Sequence, residues 1–180
     1  MTKKIIMCAL FAALIAVGTR IIIPTPLLPL TLQTLMIILS GLILGAKTGA
    51  LAVSVYVLAG LAGLPVFTQG GGLGYVVHPT FGYTISFILG AWLAGFLAEK
   101  LKPSILNLFL SGFAAIILIY AIGIPYYYAV ARWHTGNILA AKTLLMYFVL
   151  MPLPGDILKC FLAALIVYRL RKFFPAVFNY

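Results

Sequence analysis

The stretch Ser104-Ile-Leu-Asn-Leu-Phe-Leu-Ser-Gly-Phe-Ala-Ala-Ile-Ile-Leu-Ile-Tyr-Ala-Ile-Gly123 runs without a formal charge. About 20 such residues carry an α-helix across the hydrocarbon core of a bilayer. A helix is what lipid demands, because it satisfies its backbone polar groups internally. Comparable apolar runs lie at 5–23, 30–46, 48–64, 82–99 and 156–172. Two of them, 30–46 and 48–64, are at the short limit of roughly 17 residues, so they are expected to tilt little or to stop below one surface.

Composition agrees with that reading. Of the 180 residues, 64% are hydrophobic and 8% charged, and mean hydropathy is +1.20. A soluble domain of this size needs a polar exterior that these residues cannot supply. The expectation is an all-α membrane protein of about six transmembrane helices, folded as a single domain over 1–180. The net charge of +10 does not point to nucleic acid, because the cations fall singly or in pairs between apolar runs. They read instead as topology determinants. With the N-terminus in the cytoplasm, Lys3, Lys4, Lys47, Lys100, Lys102, Arg169, Arg171 and Lys172 lie inside. Arg20, Arg132, Lys142 and Lys159 lie outside. This bias places both termini in the cytoplasm of a multi-pass plasma-membrane protein.

The run Ile138 to Met151 contains Lys142 and ends at Pro152 and Pro154. Its length suits an interfacial or re-entrant helix better than a span. The inner turns, 46–48 and 100–103, are short. The outer connections, 24–30, 63–82 and 124–155, are long, and long loops in compact proteins often carry function. No cleavable signal peptide is expected, because Arg20, Pro24 and Pro26, rather than a small-x-small site, follow the first apolar run. Cys8 and Cys160 sit in different helices without a CxxC partner, so neither a disulfide nor a metal site is expected.

The chain holds two carboxylates, Glu99 and Asp156. Glu99 adjoins Lys100 at an inner turn and reads as a solvated surface charge. Asp156 opens the last helix in Met151-Pro-Leu-Pro-Gly-Asp-Ile-Leu-Lys159, and the i, i+3 spacing puts Asp156 and Lys159 on one face. Asp is favoured in a first helical turn for structural reasons alone. That does not explain a Lys one turn into an apolar helix, where ionisable groups are costly and mark sites. The segment Gly63–Tyr83 carries six glycines and the aromatic residues Phe67, Tyr75 and Tyr83. It suits close backbone approach to a ligand, or simply a flexible loop. Gln33 and Thr34 are polar at an apolar helix entrance. Gln33 both donates and accepts, as amide or ureido recognition requires, although a Thr31 cap also accounts for the pattern.

The first helix carries the i, i+4 pairs Ala9/Ala13 and Ala12/Ala16, a small-xxx-small face suited to close helix packing. Gly41, Gly45 and Gly49 repeat the device. Gly41-Leu-Ile-Leu-Gly-Ala-Lys-Thr48 mimics a P-loop, but its spacing is wrong and no strand precedes it. His78 and His134 are isolated, and Asp156 has no second carboxylate to work with, so no enzyme and no cofactor are expected.

Taken in order, several segments resemble the biotin-binding S-components of energy-coupling-factor (ECF) transporters, the BioY family. They are Ala-Leu-Phe-Ala-Ala-Leu-Ile-Ala-Val-Gly in the first helix, Pro-Leu-Thr-Leu-Gln-Thr at 29–34 and Gly-Leu-Pro-Val-Phe at 63–67. The glycine run, Pro-Thr-Phe-Gly-Tyr at 79–83 and Pro-Gly-Asp-Ile-Leu-Lys at 154–159 complete the set. The resemblance implies a six-helix substrate-binding subunit that captures biotin at the outer face. Delivery would need a separate transmembrane coupling subunit and ATPases. It implies ligand-binding roles for Asp156, Lys159, Gln33, Thr80 and Tyr83, and a lid around Phe67. The coupling subunit would dock on Ala9, Ala12, Ala13 and Ala16. His78 and Phe81 depart from a stretch that is often smaller and more polar in relatives. Two rival readings stay open: an S-component for thiamin or riboflavin, and a proton-coupled carrier with Asp156 as relay.

Overall fold

The computed structural model describes residues 2–24, 27–134, 140–173 and 178. The chain is mostly helical. Its elements are α1 (Thr2–Arg20), β1 (Ile22–Ile23), β2 (Leu30–Thr31), α2 (Gln33–Leu44), α3 (Ala46–Leu61), α4 (Phe81–Lys100), α5 (Ile105–His134), α6 (Ala141–Leu145) and α7 (Leu153–Phe173). Helix α4 packs on α5, α3 and α2, while α7 packs on α5 and α2, and α1 on α3 and α2. Among the described residues, four helical stretches are long and apolar enough to cross a membrane: Gln33–Leu61, Phe81–Lys100, Ile105–Trp133 and Ala141–Phe173. Ile5, Ile6, Leu10 and Val17 on α1 and Leu158, Phe161 and Leu162 on α7 point outward. Such an exterior is unfavourable in water and ordinary in lipid.

The stretch Gln33–Leu61 is folded in two. Gly45 takes φ 81°, a conformation that disfavours a side chain, and separates α2 from α3. A Cβ at Gly49 would stand 2.8 Å from the Gly41 Cα, so the two helices return along each other. The Gly41–Gly49 stripe therefore packs inside this chain, with Gly41 also set against the Ala91 backbone of α4. The turn rests on Gly95 of α4, where an added Cβ would meet the Ala46 nitrogen at 2.4 Å.

Glu99 corrects the first reading. It is exposed, but not merely solvated: its Oε1 accepts a hydrogen bond from the Ala46 N–H at 2.7 Å. A carboxylate from α4 thus satisfies one of the orphan donors at the start of α3 and complements its dipole. Sequence adjacency to Lys100 hid that role, because the partner lies in another helix.

Two of the connections expected on the outer side, the α1–α2 link and 124–155, also differ from expectation. The α1–α2 link forms a two-stranded antiparallel ribbon, Ile22 opposite Thr31 and Ile23 opposite Leu30. Helix α5 continues through Pro125 to His134, so much of the loop expected from Ile124 is helix. Proline's fixed φ is compatible with a helix; it costs one hydrogen bond and does not force a stop. At 30 residues, α5 is about 45 Å long and exceeds the hydrocarbon thickness. The described part of 138–151 is not a free-standing interfacial helix. Ala141–Leu145 passes through a π-helical turn, Met146–Leu150, and runs on into α7 with helical angles at Met151. Pro152 and Pro154 remove two helical donors there, and the wider turn accommodates the loss. Ile138 and Leu139 lie outside the described residues.

Candidate functional site

Asp156 sits in the first turn of α7 and is 3% exposed. A bare carboxylate at that burial is untenable, and three side chains answer it. Lys159 Nζ donates to Oδ1 at 2.8 Å, Thr34 Oγ1 donates to the same oxygen at 3.2 Å, and Tyr120 OH donates to Oδ2 at 2.5 Å. Lys159 Nζ also donates to Thr34 Oγ1 at 2.9 Å. The i, i+3 pair foreseen in the sequence is therefore real, and helices α2 and α5 complete it. Two of the three ammonium hydrogens are spent inside this cluster.

The cluster forms one wall of a cavity with about 620 Å³ of empty space, open solvent at its mouth included. The β-ribbon supplies Leu30 and Thr31 to a second wall, and Leu28 and Pro29 precede them. Phe87 and Ile119 add apolar surface from α4 and α5.

Gln33 is buried, and its Nε2 donates to Tyr56 OH at 2.9 Å. Tyr56 passes its own hydrogen to the Val66 carbonyl at 3.0 Å, which ties α2 and α3 to the glycine-rich loop. The Thr31 hydroxyl accepts from the Gln33 N–H at 3.3 Å, so capping and cavity lining coexist at this helix entrance. Tyr83 lines the cavity from α4, and its buried hydroxyl has no hydrogen-bond partner among the described residues. An unsatisfied buried hydroxyl is costly unless a ligand completes it.

The glycine-rich loop folds down over the site. Gly63, Gly70 and Gly72 take positive φ. Phe67 is 1% exposed and presses on Gly60, where an added Cβ would fall 2.2 Å from the ring's Cζ. Its ring meets Tyr56 edge-on at 5.6 Å and lies 4.6 Å from Tyr75. Thr80 lines the cavity and exchanges hydrogen bonds with Tyr75 and His78.

Asp156, Lys159, Gln33, Tyr83, Thr80 and Phe67 thus line one cavity. On α1, Ala9 and Ala13 are exposed, whereas Ala12 and Ala16 are half-buried against the chain's own core. Tyr120 and Tyr56 escaped the sequence reading. Tyr120 is embedded in Ile-Ile-Leu-Ile-Tyr-Ala, and a single hydroxyl in such a run has no local signature. Among the described residues no group of three or more His, Cys, Asp or Glu side chains could hold a metal ion.

The model of the BioY family matches residues 1–176. The chain belongs to the BioY family. Among curated BioY relatives, a probable biotin transporter of Lysinibacillus sphaericus is 40% identical over 96% of this chain and 89% of its own length. The biotin transporter of Thermotoga maritima is 42% identical over 94% and 96%. A crystal structure of the S-component for biotin from an ECF-type ABC transporter superposes with a TM-score of 0.72 at 28% identity, covering 99% of this chain and 96% of the other. The BioY members matched here are named as transporters, not enzymes, and the chain is accordingly a membrane transport protein.

Proposed function

We propose that the cavity binds biotin and that this chain is the substrate-capture subunit of an ECF-type uptake system. The observation that carries the reading is the buried Asp156–Lys159–Thr34–Tyr120 cluster on the wall of an aromatic cavity. Biotin combines ureido N–H donors, a ureido carbonyl, an apolar bicycle and a carboxylate. Asp156 accepts from an N–H, and the third Lys159 hydrogen reaches a carbonyl or carboxylate. Tyr83 supplies a further hydroxyl, Gln33 and Thr80 add polar contacts, and Phe67 closes the apolar wall. The relatives named as biotin transporters support this ligand.

In this proposal α1, α2, α3, α4, α5 and α7 make six passes with both termini in the cytoplasm, as the cation bias argues. The cavity then faces outward. Ala9 and Ala13, with Ala12 and Ala16 at the edge of the same stripe, receive the coupling subunit, and separate ATPases drive delivery. No step of the process breaks or makes a covalent bond in the vitamin.

The test is equilibrium binding of labelled biotin, thiamin and riboflavin to the purified protein at pH 7.5. Saturable, one-to-one biotin binding with no competition from the other two is expected. Tight thiamin or riboflavin binding without biotin binding would overturn the choice of ligand.

A further inference from the structure

The loop above the cavity contains a directed chain of hydrogen bonds that ends on a histidine. His78 Nε2 lies 3.0 Å from Gln69 Oε1, and Nδ1 lies 2.8 Å from Thr80 Oγ1 and 3.3 Å from the Thr80 N–H. Gln69 Oε1 is an acceptor, so the ring hydrogen belongs on Nε2 and Nδ1 is bare. A backbone N–H also has only one role, and its approach to Nδ1 demands a lone pair there. Both contacts therefore select the same neutral tautomer.

That choice propagates. With Nδ1 accepting, the Thr80 hydroxyl spends its hydrogen on His78. The Tyr75 hydroxyl, 2.9 Å from Thr80 Oγ1, spends its own on Thr80, and the Thr68 hydroxyl, 3.0 Å from Tyr75 OH, donates to Tyr75. The polarity runs Thr68, Tyr75, Thr80, His78, Gln69. Thr68, Tyr75 and Thr80 all line the cavity, so the direction of their O–H bonds is set by a residue outside its lining. His78 is also stacked on Tyr75, with ring centroids 5.0 Å apart and planes 17° from parallel.

We infer that neutral His78 is a positioning residue for the binding site: it fixes the loop and the hydroxyl directions of Tyr75 and Thr80 for the ligand. A proton on Nδ1 sets one N–H against another at Thr80, and it reverses the direction of the chain. The bond to Gln69 survives and the bond to the Thr80 hydroxyl survives reversed, but the Thr80 N–H at the start of α4 loses its acceptor. Burial also disfavours the charged ring and lowers its pKa from the ordinary 6.5. The group in ring contact with His78 is Tyr75, and its hydrogen-bond partners are the uncharged Gln69 and Thr80. From α4 and α5, Phe81 faces Tyr75 and Tyr126 OH donates to the Val76 carbonyl. Asp156 and Lys159 line the same cavity as Tyr75 and Thr80 and are paired to each other at 2.8 Å.

The sign follows from linkage. Only the neutral ring holds the hydroxyls in the direction described, so the protonated protein binds more weakly and affinity falls as pH drops through the lowered His78 pKa, which lies under the ordinary 6.5. One proton allows at most about tenfold per pH unit. This rests on the proposed biotin site, and two measurements keep the ideas separable. The first is nitrogen NMR of the imidazoles in the unliganded protein, with His78 assigned through a His134 variant. An Nε2–H tautomer titrating below 6.5 is expected, and an Nδ1–H tautomer would overturn the inference whatever the ligand. The second is the pH profile of biotin affinity between pH 5 and 8. His78→Asn keeps an acceptor toward Thr80 and cannot titrate, so it should bind without the acid-side loss. His78→Leu should bind about two- to tenfold more weakly at pH 7.5, which matches loss of one hydrogen bond of about 0.5–1.5 kcal/mol. An acid-side loss in His78→Asn equal to the wild type's refutes the role of His78 while leaving the biotin site standing. Absence of biotin binding at pH 7.5 in the wild type refutes the site itself.

Discussion

Replacing Lys159 by methionine keeps an unbranched side chain one atom shorter and deletes its charge. Asp156 then remains 3% exposed with Thr34 at 3.2 Å and Tyr120 at 2.5 Å, and without its counter-ion. Breaking a fully buried ion pair costs about 3–5 kcal/mol. Two surviving hydrogen bonds hold the expected cost near the lower limit, about 3 kcal/mol. Binding suffers separately. The third ammonium hydrogen is proposed to make a charge-assisted bond to biotin, worth about 1.5–3 kcal/mol. At about 1.4 kcal/mol per decade, that weakens binding roughly 10- to 150-fold. The assay is calorimetric titration of the purified variant with biotin, paired with thermal unfolding in the same detergent. The double variant Asp156→Asn/Lys159→Met separates the two effects. Removing both charges should restore much of the stability and none of the affinity. A Lys159→Met protein that melts cooperatively and keeps the wild-type Kd would refute the reasoning.

Tyr83→Phe removes a buried hydroxyl that has no partner among the described residues. It should melt at or above the wild-type temperature and bind biotin about fivefold more weakly, as loss of about 1 kcal/mol dictates; unchanged binding would remove Tyr83 from the site. Gly60→Ala places a methyl 2.2 Å from the Phe67 ring, which lines the cavity and must shift. An increase in Kd of roughly 5- to 150-fold is expected from overpacking of about 1–3 kcal/mol, and wild-type affinity would show that the ring moves without entering the site. Ala13→Trp projects from the exposed face of α1. Co-purification with the coupling subunit and ATPases should be lost while biotin still binds, and a normal complex would exclude that face as the docking surface.

The helical membrane architecture was legible because lipid imposes a local rule. Uncharged runs such as 104–123 must be helices, and the observed bounds of α2, α3, α4 and α7 lie within a few residues of the apolar runs. Prolines were the weak point, since Pro125 sits inside α5 and Pro152 joins α6 to α7. A proline constrains its own backbone and removes one donor. Whether the helix goes on is settled by what the following residues bury.

Asp156 and Lys159 were legible for a similar reason, since charge at membrane depth is costly wherever the fold places it. The sequence by itself therefore determined the class of fold, the apolar exterior, the i, i+3 ion pair and the set of segments that resemble BioY proteins. It could not pair Thr34 and Tyr120 with Asp156, Tyr56 with Gln33, or Glu99 with the Ala46 N–H. Each of those bonds joins residues dozens of positions apart, and hydroxyls and amides carry no pattern that names a distant partner. Nor could it give His78 a role, because a histidine's tautomer is fixed by the atoms that reach its two nitrogens. The tertiary structure alone brings those atoms there.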